Sequence, residues 1–420
     1  MLDIKFIREN VKEVKDSIKK RGVDFDLDNL LKIDEKKRKI QTELESISAK
    51  KNKAGKDIAN AKATEKKKII SGMQKIDKKA DKIKPELVKL EEEIKDLLYK
   101  IPNVLAKDVP VGKDESENVV LKQVGKVPTF NFEIKDHVEL GEALGIIDLK
   151  TAAQVSGARF VYLKGKLALL QFALIQYTFD FLVKKGFIPV VPPAMIKPEI
   201  YEKMARLSKA DKDERYYFPQ DDLYLIGSAE HTLGPLHMDE ILNEKDLPLR
   251  YIGYSTAFRR EAGSYGKDTK GILRVHQFDK IEMESFTVKE DSLKEQDFII
   301  SLQEELIKSL KIPYQVVMIC TGDIGSPDAR QIDIECWMPG QDKYRETHTS
   351  DLMTDYQARR LNTRVRRKDG IELVHMNDAT AFAIGRTLIA IMENYQQKDG
   401  SIKIPQVLQK YTGFKVIKNS

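Results

Sequence analysis

From Leu27 to about Lys100 the chain is built almost entirely of Leu, Ile, Lys, Glu, Asp and Ala, with apolar residues recurring at helical spacing. Leu30, Ile33, Ile40 and Leu44 trace one stripe; Ile76, Ile83, Leu87, Leu90, Ile94, Leu97 and Ile101 trace another. A helix with a single apolar stripe needs a partner to cover it. Two such stripes separated by a lysine-rich stretch predict an antiparallel two-helix hairpin. Its tip is placed between Lys50 and Lys68, where Gly55 interrupts the pattern and Lys50, Lys51, Lys53, Lys56, Lys62, Lys66, Lys67 and Lys68 accumulate. Pro85 lies inside the second stripe and is expected to kink or divide that helix, because it lacks an N–H and crowds the preceding turn. Residues 1–22 read as one short amphipathic helix, with Ile4, Ile7, Val11 and Val14 at helical spacing.

Periodicity alone favours a dimerising coiled coil, and a charge run is more often a solvated face than a binding site. The net charge of +6 is modest for 420 residues. Its distribution says more: positive charge gathers at the predicted tip, and a projecting rod with a cationic end can contact a phosphate backbone by shape.

Hydrophobic residues make up 41% of the chain, and no apolar run approaches the length of a membrane span, so a soluble protein with no membrane partner is expected. The start MLDIKFIRENVKEVK lacks the apolar region of a secretory signal. Cys320 and Cys336 are the two cysteines, which excludes a disulfide framework and a Cys-rich zinc site; both are expected buried and reduced in a cytoplasm. Pro102–Pro128 carries Pro, Gly, Asp and Asn without periodicity and reads as a linker. Beyond it, Leu170, Leu174, Tyr177 and Phe181 share a helical face, Gly186 ends the helix, and FIPVVPPAMI is extended. The strands that follow lack βαβ spacing, so an α+β domain on a mainly antiparallel sheet flanked by helices is predicted. The domain boundaries are residues 1–103 for the arm, 104–128 for the linker and 129–420 for the second domain.

Within that domain, Phe258–Met283 (FRREAGSYGKDTKGILRVHQFDKIEM) has the form of two strands joined by a long glycine-bearing loop. If the return stretch is a strand, Arg274, His276 and Phe278 share a face. Arginines fork two donors onto phosphate oxygens, and a neighbouring Phe offers a flat face to a base, so the stretch suits a nucleoside triphosphate. A charged surface hairpin with one core aromatic fits the spacing equally well.

The order Arg-x-Glu, loop, Arg-Val-His-Gln-Phe-Asp-Lys-Ile-Glu resembles motif 2 of the class II aminoacyl-tRNA synthetases in its seryl-tRNA synthetase form. Gly186–Pro193 with the helix before it resembles motif 1, which in that family builds a homodimer interface. Ser228-Ala229-Glu230 resembles the family's Thr-Ala-Glu serine loop. Arg345-Glu346-Thr347-His348-Thr349-Ser350 stands where the family has Arg-Glu and small residues, and Asn377–Gln396 resembles motif 3. His348, Asp351, Asp378 and Ala379 depart from the usual pattern; His348 is read as a surface histidine in preference to a metal ligand. All motifs occur in family order, and the resemblance spans the chain.

The resemblance implies a serine–tRNA ligase using ATP and Mg²⁺, with no zinc. Arg259, Glu261 and Arg386 would be catalytic: Arg259 on the α-phosphate, Glu261 on the adenine edge, Arg386 toward the γ-phosphate. Arg260, Arg274, Val275, His276, Gln277 and Phe278 would complete the ATP site from motif 2, with Phe278 stacking on the base. Glu346, Thr347, His348 and Thr349 would complete it from the other side, Glu346 also meeting the metal. Ser228, Ala229, Glu230, Arg259, Glu282 and Thr380 would hold L-serine. The tip lysines would grip the long variable arm of tRNA(Ser), and tRNA(Sec) where present. Relatives that load carrier proteins lack the arm, and a decayed scaffold would have lost the arginines.

Overall fold

The structure, a computed structural model, describes residues 1–60, 62–262 and 270–419, and divides into two compact units, Met1–Pro102 and Asn103–Ser420. The predicted loop of motif 2, residues 263–269, lies outside the described residues.

In the first unit the expected single N-terminal helix is two, α1 (Ile4–Glu9) and α2 (Val11–Lys20). They part at Asn10, whose side-chain amide donates to the Phe6 carbonyl at 3.0 Å and so competes with the helical pattern. The hairpin is α3 (Leu27–Asn60) and α4 (Ala63–Lys100). Gly55 sits within α3 and does not interrupt it. Leu30, Ile40 and Ile47 are buried, as are Ala80, Leu90, Ile94 and Leu98 of the facing helix, while Ile33, Leu44 and Leu97 are only partly covered. Lys36–Glu86 at 2.7 Å and Lys37–Glu91 at 3.3 Å flank the seam. Pro85 does not divide α4: it lies on the exposed side, where water can satisfy the carbonyl it orphans.

The second unit is an α+β domain. Its large sheet comprises β1 (Val119–Val124), β2 (Ile188–Val190), β3 (Leu249–Phe258), β4 (Gln277–Thr287), β5 (Tyr314–Met318), β6 (Arg330–Met338), β7 (Lys343–Thr354) and β8 (His375–Ala383). The order is β1-β5-β6-β7-β8-β4-β3-β2, antiparallel throughout except for β2 on β3. Strand β1 corrects the reading of 104–128 as a linker: Val119, Val120 and Leu121 form an exposed sheet edge, and the flanking Pro, Gly and Asp masked a strand without alternation of burial.

Helices α5 (Gly165–Val183), α6 (Ser292–Ser309) and α7 (Ile384–Asn394) pack into the domain core. There Leu170, Leu302, Leu306, Leu388 and Ile391 join Ile281, Ile334 and Phe382 of the sheet in one buried cluster. Helix α5 also corrects an expectation, since its 19 residues do reach the length and composition of a membrane span. Leu167, Leu170, Leu174 and Leu182 are fully buried in the domain core, which accounts for that apolarity. Gly186 follows with φ +91°, a left-handed stop that glycine takes without a Cβ clash.

Two bulges set which residues reach the open side of the sheet. Ile334 pairs with His348 but Glu335 pairs with Glu346, leaving Thr347 as an extra residue in β7. Likewise Ile281 pairs with Phe382 and Glu282 with Thr380, leaving Ala381 extra in β8. Glu346, Thr349 and Asp351 therefore share one face, while His348 turns to the core.

Candidate active site

On the open face, register places Glu282 opposite Thr380, and Glu284 opposite Asp378, which is opposite Asp351. Glu282, Ser228 and Thr380 are buried and converge: Ser228 Oγ donates to Glu282 Oε1 at 2.8 Å, and Thr380 Oγ1 to the same oxygen at 3.3 Å. Lys280 is an ion partner of Glu282, and its Nζ lies 3.3 Å from Ser228 Oγ. Burial pushes the Glu282 carboxyl up, and Lys280 partly offsets this. A lone Glu after a strand would ordinarily be exposed, yet Glu230 is buried, with Oε2 3.3 Å from Ser228 Oγ. Ala229 is buried beside it.

Beside this group lies a cleft lined by Arg259, Glu261, Arg274, Phe278, Glu346 and Arg386, together with Val275 and Lys280. Arg259 Nε donates to the Gly227 carbonyl at 3.1 Å, and its guanidinium stands 5.3 Å from the Phe278 ring centre. Arg386 Nη1 reaches Glu346 Oε2 at 3.2 Å and the Glu346 carbonyl at 3.1 Å. Desolvation works to raise the Glu346 carboxyl, but Arg386, Lys280 and Arg259 outweigh it and hold it below its ordinary value. Glu261 has φ +51°, an uncommon conformation for a residue with a side chain, and its carbonyl accepts from Arg159 Nη1 at 2.8 Å.

The remaining sequence-derived positions divide between the site and other surroundings. Arg274 and His276 precede β4, so strand alternation does not govern them, and they part: Arg274 lines the cleft, while His276 Nδ1 lies 3.1 Å from the Arg259 carbonyl. Arg260 stacks on Tyr216 at 5.6 Å, and Gln277 lines an adjacent cavity. Thr347 and His348 are fully buried on the core face. His348 is thus no surface histidine: it packs on Phe382 with ring centres 4.9 Å apart, and burial lowers its pKa to about 3. Thr349 stays on the open face, its Oγ1 3.3 Å from Glu346 Oε1.

Sequence reasoning missed Lys280 and Arg206. Lys280 is two residues from Glu282, so alternation could have found it. Arg206 lies in a loop without periodicity, yet reaches Glu230 at 3.3 Å and both Asp351 and Asp378 at 3.4 Å.

Residues 1–105 match the family model of the seryl-tRNA synthetase N-terminal domain, and residues 215–395 match the class II tRNA synthetase core domain (G, H, P, S and T). The serine–tRNA ligase of Dictyoglomus turgidum is 42% identical over 422 residues, covering 100% of this chain and 99% of that protein. The chain belongs to the seryl-tRNA synthetase family. Among solved structures, the seryl-tRNA synthetase of Pyrococcus horikoshii complexed with ATP is similar at a TM-score of 0.94 and 41% identity, with 100% of each chain covered. The cytoplasmic serine–tRNA ligase of Naegleria fowleri in complex with AMP gives 0.90 and 34%, covering 100% of this chain and 99% of that one. As a family member the protein is an aminoacyl-tRNA synthetase, a class of ligase.

Proposed function

We propose that this enzyme activates L-serine with ATP, giving seryl-adenylate and pyrophosphate, and then transfers the seryl group to the 3′ end of tRNA(Ser), and of tRNA(Sec) where present. The observation that carries the reading is the buried set Glu230, Glu282, Ser228 and Thr380 lying beside the guanidinium of Arg259. Carboxylates and hydroxyls suit the ammonium and side-chain hydroxyl of a small substrate. The guanidinium suits its carboxylate and the phosphate that carboxylate attacks.

A serine carboxylate oxygen attacks the α-phosphorus, and pyrophosphate leaves. A terminal ribose hydroxyl then attacks the acyl carbon, and AMP leaves. Neither step requires a protein nucleophile; alignment and charge neutralisation suffice. Arg259 holds the α-phosphate and substrate carboxylate, Arg386 the γ-phosphate, Phe278 the face of adenine and Glu261 its edge, with Arg274 and Val275 closing the cleft. Alanine and glycine are rejected because they leave buried groups unpaired.

Glu346 fits a role toward Mg²⁺. Glu335 pairs with it across β6 and β7, and Asp333 is pushed well up by burial and then by Glu346, a local excess of oxygen ligands that a hard cation would relieve. Among the described residues no group of three or more His, Cys, Asp or Glu is arranged to hold a metal. When bound, Mg²⁺ would neutralise phosphate charge.

The arm contacts the variable arm of tRNA(Ser) by shape. Lys50, Lys53, Lys56, Lys62 and Lys67 are exposed, Lys51 and Lys66 half-buried, and the Lys68 side chain lies outside the described residues. A homodimer through motif 1 is supported by Leu169, Phe172 and Val191, exposed by 53%, 60% and 87%. The cytoplasm is the compartment where these substrates meet.

The test is ATP–pyrophosphate exchange with each of the twenty amino acids, with and without tRNA. Exchange driven by serine supports the reading; strong exchange with another amino acid, or none with any, overturns it.

A further inference from the structure

Glu230 presents its two oxygens differently. Oε2 faces Ser228, at 3.3 Å, on the side proposed to receive serine. Oε1 is turned away and lies within ion-pair distance of two nitrogens, Arg206 Nε at 3.3 Å and His231 Nε2 at 3.4 Å, the Arg206 contact being ionic with no hydrogen bond from Nε. The tautomer of His231 follows from its other nitrogen: the Gly227 N–H donates to Nδ1 at 3.1 Å, so Nε2, the nitrogen on the Glu230 side, carries the proton. Burial keeps this imidazole neutral, its pKa lowered to about 3, so Arg206 is the cation of the pair.

Arg206 is itself fixed from the far side. Its Nη2 lies 3.4 Å from Asp351 and from Asp378, and 3.7 Å from Asp328. These carboxylates come from β7, β8 and the loop before β6, so three segments converge on one guanidinium. Two of them, Asp351 and Asp378, are the departures that the motifs left unexplained.

We propose that Arg206, held by Asp328, Asp351 and Asp378, is a positioning residue that fixes Glu230 so that Oε2 is offered to the substrate amino acid. This rests on the assignment of serine to the pocket beside Ser228. The cation keeps Glu230 ionised and immobile without touching the substrate. Its loss frees the carboxylate to rotate and removes the charge that favours its ionised form.

The experiment is steady-state pyrophosphate exchange by the full-length enzyme and by Arg206→Gln and Arg206→Lys, each with a thermal melt. Arg206→Gln is expected to raise the serine KM about tenfold or more while the ATP KM changes by less than about twofold. Arg206→Lys, which keeps the charge but loses the fork, should fall between the two. An unchanged serine KM in Arg206→Gln, or equal increases in both KM values, overturns the proposal. If Arg206→Gln does not fold, Arg206→Lys decides, a serine KM equal to that of the unaltered enzyme counting against it. Absence of serine-driven exchange in the unaltered enzyme would instead overturn the activity reading on which this one rests.

Discussion

Glu282→Gln separates charge from shape in the pocket. The substitution keeps an acceptor where Oε1 takes hydrogen bonds from Ser228 and Thr380, at 2.8 and 3.3 Å. It removes the negative charge available to a substrate ammonium. Among the described residues Glu282 Oε2 is buried without a hydrogen-bond partner, so an amide there forfeits no hydrogen bond at that atom, although the charge that pairs with Lys280 is lost. A hydrogen bond to a charged group contributes about 1.5–3 kcal/mol, which corresponds to a rise in serine KM of roughly 10- to 150-fold. The ATP KM should hardly move, because Glu282 is absent from the cleft lining. The assay is pyrophosphate exchange with serine and ATP varied separately. A pH series adds a sign: burial raises the Glu282 pKa, so acidification protonates it and the unaltered enzyme loses serine affinity as pH falls. The variant should lack that contribution. An unchanged serine KM in Glu282→Gln, with the melt preserved, would refute the placement of the ammonium beside this carboxylate.

Glu284 makes a stability prediction. Both its oxygens are buried without hydrogen-bond partners among the described residues, and burial, then Asp378, pushes its pKa well up. A folded pKa above the unfolded one means that the folded state binds the extra proton. Its contribution is therefore present below the unfolded pKa and is lost, at about 1.4 kcal/mol per pH unit, as pH rises toward the folded pKa. Glu284→Gln should flatten that dependence in denaturation measured across the weakly acidic range; an unaltered slope would count against it. Replacing Lys50, Lys53, Lys56, Lys62 and Lys67 by alanine should weaken tRNA charging and reduce its salt dependence while leaving serine-dependent exchange intact, and equal loss of both would oppose the arm's proposed role. Phe172→Glu should shift the proposed homodimer toward monomer in light scattering, whereas an unchanged mass would count against motif 1 as its interface.

Much of the architecture was legible because it rests on periodicity. The hairpin stripes and the α5 face depend on local spacing, and they survive in the structure. Boundaries fared less well where chemistry overrode pattern: Asn10 divided the first helix, and exposed Pro85 left α4 continuous. The motifs made one grouping legible: Arg259, Phe278 and Arg386 line the same cleft. The site was illegible at His348, because counting by twos from Glu346 carries that histidine into the site, whereas the extra residue Thr347 turns it into the core. Arg206 left no trace in the pattern, since its partners Asp328, Asp351 and Asp378 come from segments far along the chain.

The bulges at Thr347 and Ala381 have a consequence for assembly. A regular antiparallel pair can slide by two residues and still present the same faces, so alternation alone leaves several pairings open. An irregularity in β7 against β6, and another in β8 against β4, removes that freedom, because a slipped strand would set its extra residue opposite a regular partner. They act as detents: the strands carrying Glu346 and Thr380 seat in one alignment, and the two halves of the pocket come to rest at the same height.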